Sequence, residues 1–196
     1  MEEVKTKATL LEPDIRRTIV SISNRTTGQT RRAAFEDLKA RVDDIAIPTA
    51  APEEIRDLLV TAKNLILYSW YYYPFTMSAA LQSAAALEQA LRLRLNATER
   101  DTLGFLLRQA IKQGLLTDAG FPRWKEYNAA FAKLHPVAGK PAKMSYVRHL
   151  ANHFPRARNA AAHGNRFMED LGPRHLDIVC EAIAQLYPGP TKRDGL

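Results

Sequence analysis

The stretch TMSAALQSAAALEQALRLRL, residues 76–95, is rich in alanine and leucine and holds no glycine or proline. That composition favours a helix. Leu81, Ala84, Leu91 and Leu95 recur at a spacing that lines one helical face. Glu88 falls in the same stripe, four residues after Ala84 and three before Leu91. An acid on an apolar stripe must be paired, protonated or at an interface. Two roles stay open for it: an intrahelical pair with Arg92 at i+4, or the orientation of a cation at a buried site.

The segments on either side carry the same periodicity. Ala51-Pro52-Glu53-Glu54 opens a helix with proline in its first turn and acids at its positive end. That helix runs through IRDLLVTAKNLILYSWYYY and is expected to stop before Pro74. Further helices are expected over Asp101–Gln113, from Pro122 through RWKEYNAAFAKL, over Met144–His153, and over Pro173–Tyr187. Pro155 is expected to kink the helix before it or to open a new one. HPVAGKPAK reads as a loop. In residues 1–50, RRAAFEDLKARVDDIAI fits one amphipathic helix, and only TIVSI (Thr18–Ile22) suggests a strand. The fold class is therefore all-α: a helical bundle over 51–188, an N-terminal helical extension or arm over 1–50, and a flexible tail over 189–196.

One cysteine, Cys180, excludes a disulfide framework within the chain and any zinc site built on cysteine pairs. No apolar run is long enough to span a membrane, and the acidic start MEEVKTKATLLEP lacks a signal-peptide core. The expectation is a cytoplasmic protein without a membrane partner. The formal charge is +7, and it is concentrated. From Tyr127 to Met168 there is no Asp or Glu, while Lys133, Lys140, Lys143, Arg148, Arg156, Arg158 and Arg166 all lie there with four of the five histidines. Elsewhere the charges cancel. Such a surface favours a polyanion, nucleic acid being the commonest. Lys140, Lys143, Arg148, Arg156 and Arg166 are the candidate RNA-binding residues; a solvated basic face is the bland alternative.

Within that window, Arg158–Gly164 reads RNAAAHG. On a helix, Asn159 and His163 face the same way, and the long Arg158 side chain can sweep back toward them. Ala160, Ala161 and Ala162 keep the helix thin enough for another helix to approach. Gly164 suits the residue just past a helix end, which would put His163 where the dipole favours positive charge. An imidazole beside a fixed cation suits phosphodiester cleavage. The imidazole can move protons to or from a 2′-hydroxyl or the leaving oxygen. The guanidinium can neutralise charge building on phosphorus. Asn159 could hold the histidine or a phosphate oxygen. This chemistry needs neither metal nor cofactor. Spacing alone does not choose the register, because RHLANH (Arg148–His153) and the Arg156–His163 pair fit similar patterns.

Two other clusters read more plainly. YSWYYYPF (Tyr68–Phe75) could stack on bases, but its place at a helix end favours packing over the core. His149 and His153 have a spacing that can bind a metal, yet no acid lies nearby in sequence to complete the set.

RNAAAHG resembles the R-x4-6-H motif of the HEPN superfamily, in which Asn, Asp or His usually follows the arginine. SAAALEQALRLRL looks like the second core helix of that family, and TLGFLLRQAIKQGLL like an insertion found in some bacterial members. The motif also stands where the family has it, before the final helix. The resemblance covers about residues 52–188 and leaves the arm outside. It implies a HEPN-like helical bundle that forms a homodimer, with two motifs meeting at the interface. It implies a metal-independent endoribonuclease, often a toxin or phage-defence component, in some cases with a cognate antitoxin or partner protein. Arg158, Asn159 and His163 would be the catalytic residues, with Glu88 as a supporting acid. Other members are non-catalytic and bind RNA, a nucleotide or a partner protein. One departure is Pro155, three residues before the arginine: a helix restarting there would turn Arg158 away from the site.

Overall fold

The computed structural model describes residues 4–23, 27–122, 125, 145–163 and 171–189. Among them the chain is mostly helical. A single turn, α1 (Ile15–Thr18), precedes a short antiparallel hairpin, β1 (Ser21–Ser23) and β2 (Thr30–Arg32), in which Ile22 faces Arg31. Then follow α2 (Phe35–Asp43), α3 (Glu53–Tyr68), α4 (Phe75–Leu95), α5 (Leu103–Lys112), a 3-10 turn (Asp118–Gly120), α6 (Tyr146–Ala162) and α7 (Leu171–Leu186). The helix expected from Pro122 through RWKEYNAAFAKL and the loop HPVAGKPAK lie almost wholly outside the described residues, as does most of the expected tail.

Helix α4 is the centre. Ala79, Ala80, Ala84, Ala86, Leu87, Ala90 and Leu91 are all buried, so the helix is enclosed on more than one face. Its alanines let α3 and α7, its main neighbours, approach closely. Leu87 and Leu91 fill the space between them, each burial contributing about 1.5–3 kcal/mol. Gly172, in the first turn of α7, allows a close approach to α3 and α4: a Cβ there would lie 3.0 Å from Thr76 Cγ2 and 3.3 Å from Ile66 Cγ1. Leu59 and Ile66 from α3, Leu106 and Leu107 from α5, Leu150 and Phe154 from α6, and Leu176 and Ile183 from α7 complete one continuous core. Leu38, Val42 and Ile45, from the stretch read as an arm, belong to that core too.

The structure departs from the sequence expectations at several boundaries. The helix read over Arg31–Ile47 is confined to Phe35–Asp43, with Arg31 and Arg32 in β2, because Asp37 takes the Ala34 N–H and the Arg31 guanidinium at the helix start. The strand is Ser21–Ser23 rather than Thr18–Ile22, because Asp14 caps α1 with its side chain and draws Thr18 into that turn. Helix α3 stops at Tyr68, not at Tyr73. There the Tyr73 N–H, which a continued helix would direct to Ser69 O, donates instead to Asp14 Oδ2 at 2.9 Å, and Trp70 O, whose helical donor position is Pro74, accepts the Asp14 N–H at 2.8 Å. Helix α6 continues through Pro155 to Ala162 without restarting. Proline removes one donor from the helix interior. Buried Ala151 and Phe154, in the turn just before it, hold the helix against the core and offset that loss.

The aromatic stretch packs over the core in part: Trp70 is buried, whereas Tyr68 and Phe75 are exposed. Phe35 meets Trp70 edge-on at 6.1 Å and stacks on Tyr71 at 6.3 Å, while the guanidinium groups of Arg16 and Arg17 lie 4.9 and 5.0 Å from the Tyr73 ring centre.

Candidate functional site

Helices α4, α5 and α6 enclose a cleft of about 520 Å³, within the roughly 300–1,000 Å³ range of small-ligand sites. Glu88 and Arg92 enter from α4, and Glu99, Arg100 and Asp101 from the following loop. Arg108 comes from α5, and Asn152, Arg156, Arg158 and Asn159 come from α6. Five arginines face three carboxylates, so the cleft carries net positive charge.

Glu88 organises its floor. The side chain is 15% exposed, and its two oxygens serve two cations. Arg92 Nη2 donates to Oε1 at 2.6 Å, and Arg158 Nη2 donates to Oε2 at 3.3 Å. The i+4 pair within α4 is therefore present, and the same acid also touches the motif arginine on another helix, at a half-buried rather than a buried position. Arg92 Nη2 also donates to the backbone oxygens of Glu99 at 3.2 Å and Asp101 at 3.1 Å, which ties down the loop between α4 and α5. Arg158 Nη1 donates to Asn159 Oδ1 at 3.1 Å. Two of the five N–H donors of Arg158 are thus engaged, and its side chain remains 39% exposed.

Several contacts outside the motif set the position of α6. Ser145, at the start of the helix, makes no side-chain cap; Asp118 supplies one from the 3-10 turn instead. Its Oδ1 accepts from the Val147 N–H at 2.9 Å and from Ser145 Oγ at 3.0 Å. Pro155 faces Gly104 of α5: a Cβ on that glycine would meet Pro155 Cγ at 3.5 Å. The proline therefore packs on α5, and Arg158, one turn later, points into the cleft.

The structure brings Glu88, Arg158 and Asn159 together. His163 is not among the cleft-lining residues. It is the first residue past α6 and exposed, with its backbone N–H donating to Asn159 O at 3.0 Å. Of the candidate RNA-binding residues, Arg156 lines the cleft and Arg148 is exposed on α6. Lys140, Lys143, Arg166 and also Gly164 lie outside the described residues. The His149 and His153 rings lie 4.1 Å apart, tilted by 30°. Among the described residues no third His, Cys, Asp or Glu joins them in a metal-binding group. Burial, then the charge of His153, lowers the pKa of His149.

Arg100, Arg108 and Asn152 also line the cleft, and the charge distribution along the chain does not single them out. Both arginines stand in a segment where acids balance bases in sequence. Their signal is visible only once α5 is laid beside α6.

Beneath α6, His175 of α7 packs with Met77, Ala80, Leu81, Ala157 and Ala161 beside the Arg158 side chain, its ring 5.3 Å from that of Phe154. Burial, then the charge of Arg174, pushes its pKa from 6.5 down to about 4. The unfolded chain binds a proton in this range that the folded chain refuses. Stability is therefore fully present above about pH 6.5 and falls as pH drops toward 4. Urea unfolding is expected to show a loss of roughly 2–3 kcal/mol from this group between about pH 7.5 and 4.5. His175→Phe should flatten that part of the profile. An unchanged profile in the variant would place the acid sensitivity elsewhere.

Searches of protein-family models, curated proteins and solved structures each return no match for this chain.

Proposed function

We propose that the chain is a metal-independent endoribonuclease of HEPN type that works as a homodimer, with a toxin or phage-defence role as the context. The observation that carries this reading is the Glu88–Arg158–Asn159 arrangement at the edge of an arginine-rich cleft. Glu88 and Asn159 together fix the guanidinium plane, so Arg158 needs little reorganisation to meet charge building on a phosphate. His163 acts as general acid or base on the 2′-hydroxyl or the leaving oxygen. Its position beyond the end of α6 suits a site completed when the motif of a second copy is brought alongside. Arg148, Arg156, Lys140, Lys143 and Arg166 hold the RNA backbone. An antitoxin or other partner protein would act on this dimer.

The experiment is RNA cleavage in EDTA by the wild type and by His163→Ala. Loss of cleavage by at least about 100-fold is expected, as for other general acid–base groups. Equal rates would remove His163 from the mechanism.

A second reading is a HEPN-like dimer that binds RNA, a nucleotide or a partner protein without cutting. The exposed His163, set apart from the cleft wall, favours it. It predicts salt-sensitive RNA binding by the wild type with no turnover in the same assay.

A further inference from the structure

Three arginines of the cleft have no partner among the described residues. Arg92 is engaged by Glu88 and two backbone oxygens, and Arg158 by Glu88 and Asn159. Arg100, Arg108 and Arg156 make no side-chain hydrogen bond or ion pair with any described residue, although they come from three different elements and line one concavity. The other two carboxylates of the cleft make no ion pair with them. Asp101 Oδ2 turns back to accept from the Thr98 N–H at 2.8 Å and from Thr98 Oγ1 at 2.9 Å, and Glu99 is exposed. Arg108 folds over its own helix, with Nη1 3.5 Å from where a Gly104 Cβ would lie, and so reaches toward Pro155 and α6. Gathering three like charges that make no ion pair with a described residue costs free energy, and a bound anion recovers it. The guanidinium fork matches phosphate geometry.

We propose that Arg100, Arg108 and Arg156 form a second phosphate subsite, beside the Arg158–Asn159 position, that holds the phosphodiester next to the one being cut. This rests on the endoribonuclease reading for the role of Arg158, but not for the binding itself. The ligand is then an RNA strand with at least two consecutive phosphodiesters. A dinucleoside monophosphate can occupy only one of the two positions. The terminal phosphates of a nucleoside triphosphate offer the same chemistry from another source, and the test separates the two.

The probe is a 3′-fluorescein hexaribonucleotide with 2′-O-methyl groups, which blocks cleavage through the 2′-hydroxyl. Anisotropy is followed between about 50 and 200 mM salt for the wild-type chain and for Arg100→Ala/Arg108→Ala/Arg156→Ala. The three side chains are exposed, so the variant should fold; circular dichroism checks this, and Arg108→Glu alone serves as a second variant. Binding is expected to weaken about 10- to 100-fold. The slope of log affinity against log salt should become shallower by about 0.7 for each phosphate no longer held. Unlabelled trinucleotide should compete, whereas ATP should not. Unchanged affinity and slope in both variants would overturn the subsite, as would competition by ATP with none by the trinucleotide. Cleavage is scored separately on unmodified RNA. A wild type that binds with these properties but never cuts loses the catalytic reading and keeps the subsite. A wild type that cuts while the triple variant binds equally well loses the subsite and keeps the catalytic reading.

Discussion

Arg158→Ala is expected to slow RNA cleavage in EDTA by about 100- to 1,000-fold, the usual cost of removing one preorganised donor from a developing oxyanion. The protein should stay folded. Glu88 keeps its 2.6 Å contact with Arg92 when Arg158 is removed, so no buried acid is stranded. The Arg158 side chain is 39% exposed, and a contact of that kind contributes no more than about 1 kcal/mol. Arg158→Lys separates charge from geometry. Lysine keeps the cation but loses the fork that reaches Glu88 Oε2 and Asn159 Oδ1 together. It should recover only part of the lost rate. Initial rates on a fluorogenic oligoribonucleotide, read beside a thermal melt, check both statements. Full activity in Arg158→Ala would show that this arginine does not meet the reacting phosphate.

Arg17→Met is expected to destabilise the protein by about 2–4 kcal/mol. Arg17 is 5% exposed and Asp14 is 7% exposed, far from the cleft, where the α1 turn docks on the segment between α3 and α4. Arg17 Nη2 donates to Ser69 Oγ and, at 2.9 Å, to Thr76 Oγ1; Arg17 Nε reaches Ser69 O at 3.4 Å. Methionine fills a similar apolar volume but leaves those buried acceptors short of a donor. Desolvation would raise the Asp14 pKa. The hydrogen bonds from Arg16 and Tyr73, with the Arg16 charge, outweigh it and hold the carboxyl at about 2. Because that value lies below the 3.8 of a free carboxyl, the stabilisation is present above about pH 3.8 and fades as pH falls toward 2. The docking should therefore hold through the range in which His175 is losing stability. Urea unfolding at neutral pH, with hydrogen exchange over residues 14–20 and 69–76, measures the effect. A change below about 0.5 kcal/mol, with exchange unaltered, would mean that the turn rests on the surface without contributing to the fold.

The helical character of the chain was legible because alanine- and leucine-rich segments repeat with one period and are punctuated by Pro52, Pro74 and Gly114. Boundaries were missed where a distant residue supplied or removed a backbone partner. Asp14 ends α3 early, and Asp118 caps α6 from outside it; neither is visible as a local helix signal. Pro155 looked like a break because local rules count its missing donor and cannot count the packing of Ala151 and Phe154 in the turn before it. For the candidate site, Glu88 was legible as an acid on an apolar stripe, and Arg158 and Asn159 as a cation and an amide on one turn. His163 stands at the C-terminal end of α6 as its spacing implied, its N–H still bonded to Asn159 O, but it does not line the cleft that holds Arg158 and Asn159. Arg100 and Arg108 were hidden because opposite charges that cancel along a sequence need not meet in space.

The most direct measurement is the product chemistry on paired oligonucleotides in EDTA: one all-ribose, and one with 2′-deoxyribose throughout. Cleavage through the 2′-hydroxyl requires that the ribose strand be cut to leave 2′,3′-cyclic phosphate ends, and that the deoxy strand stay intact. Mass spectrometry of the fragments reads both. Equal cutting of the two strands, or a ribose strand left whole by folded protein that binds it, would contradict the assignment of Arg158 and His163 to phosphodiester cleavage.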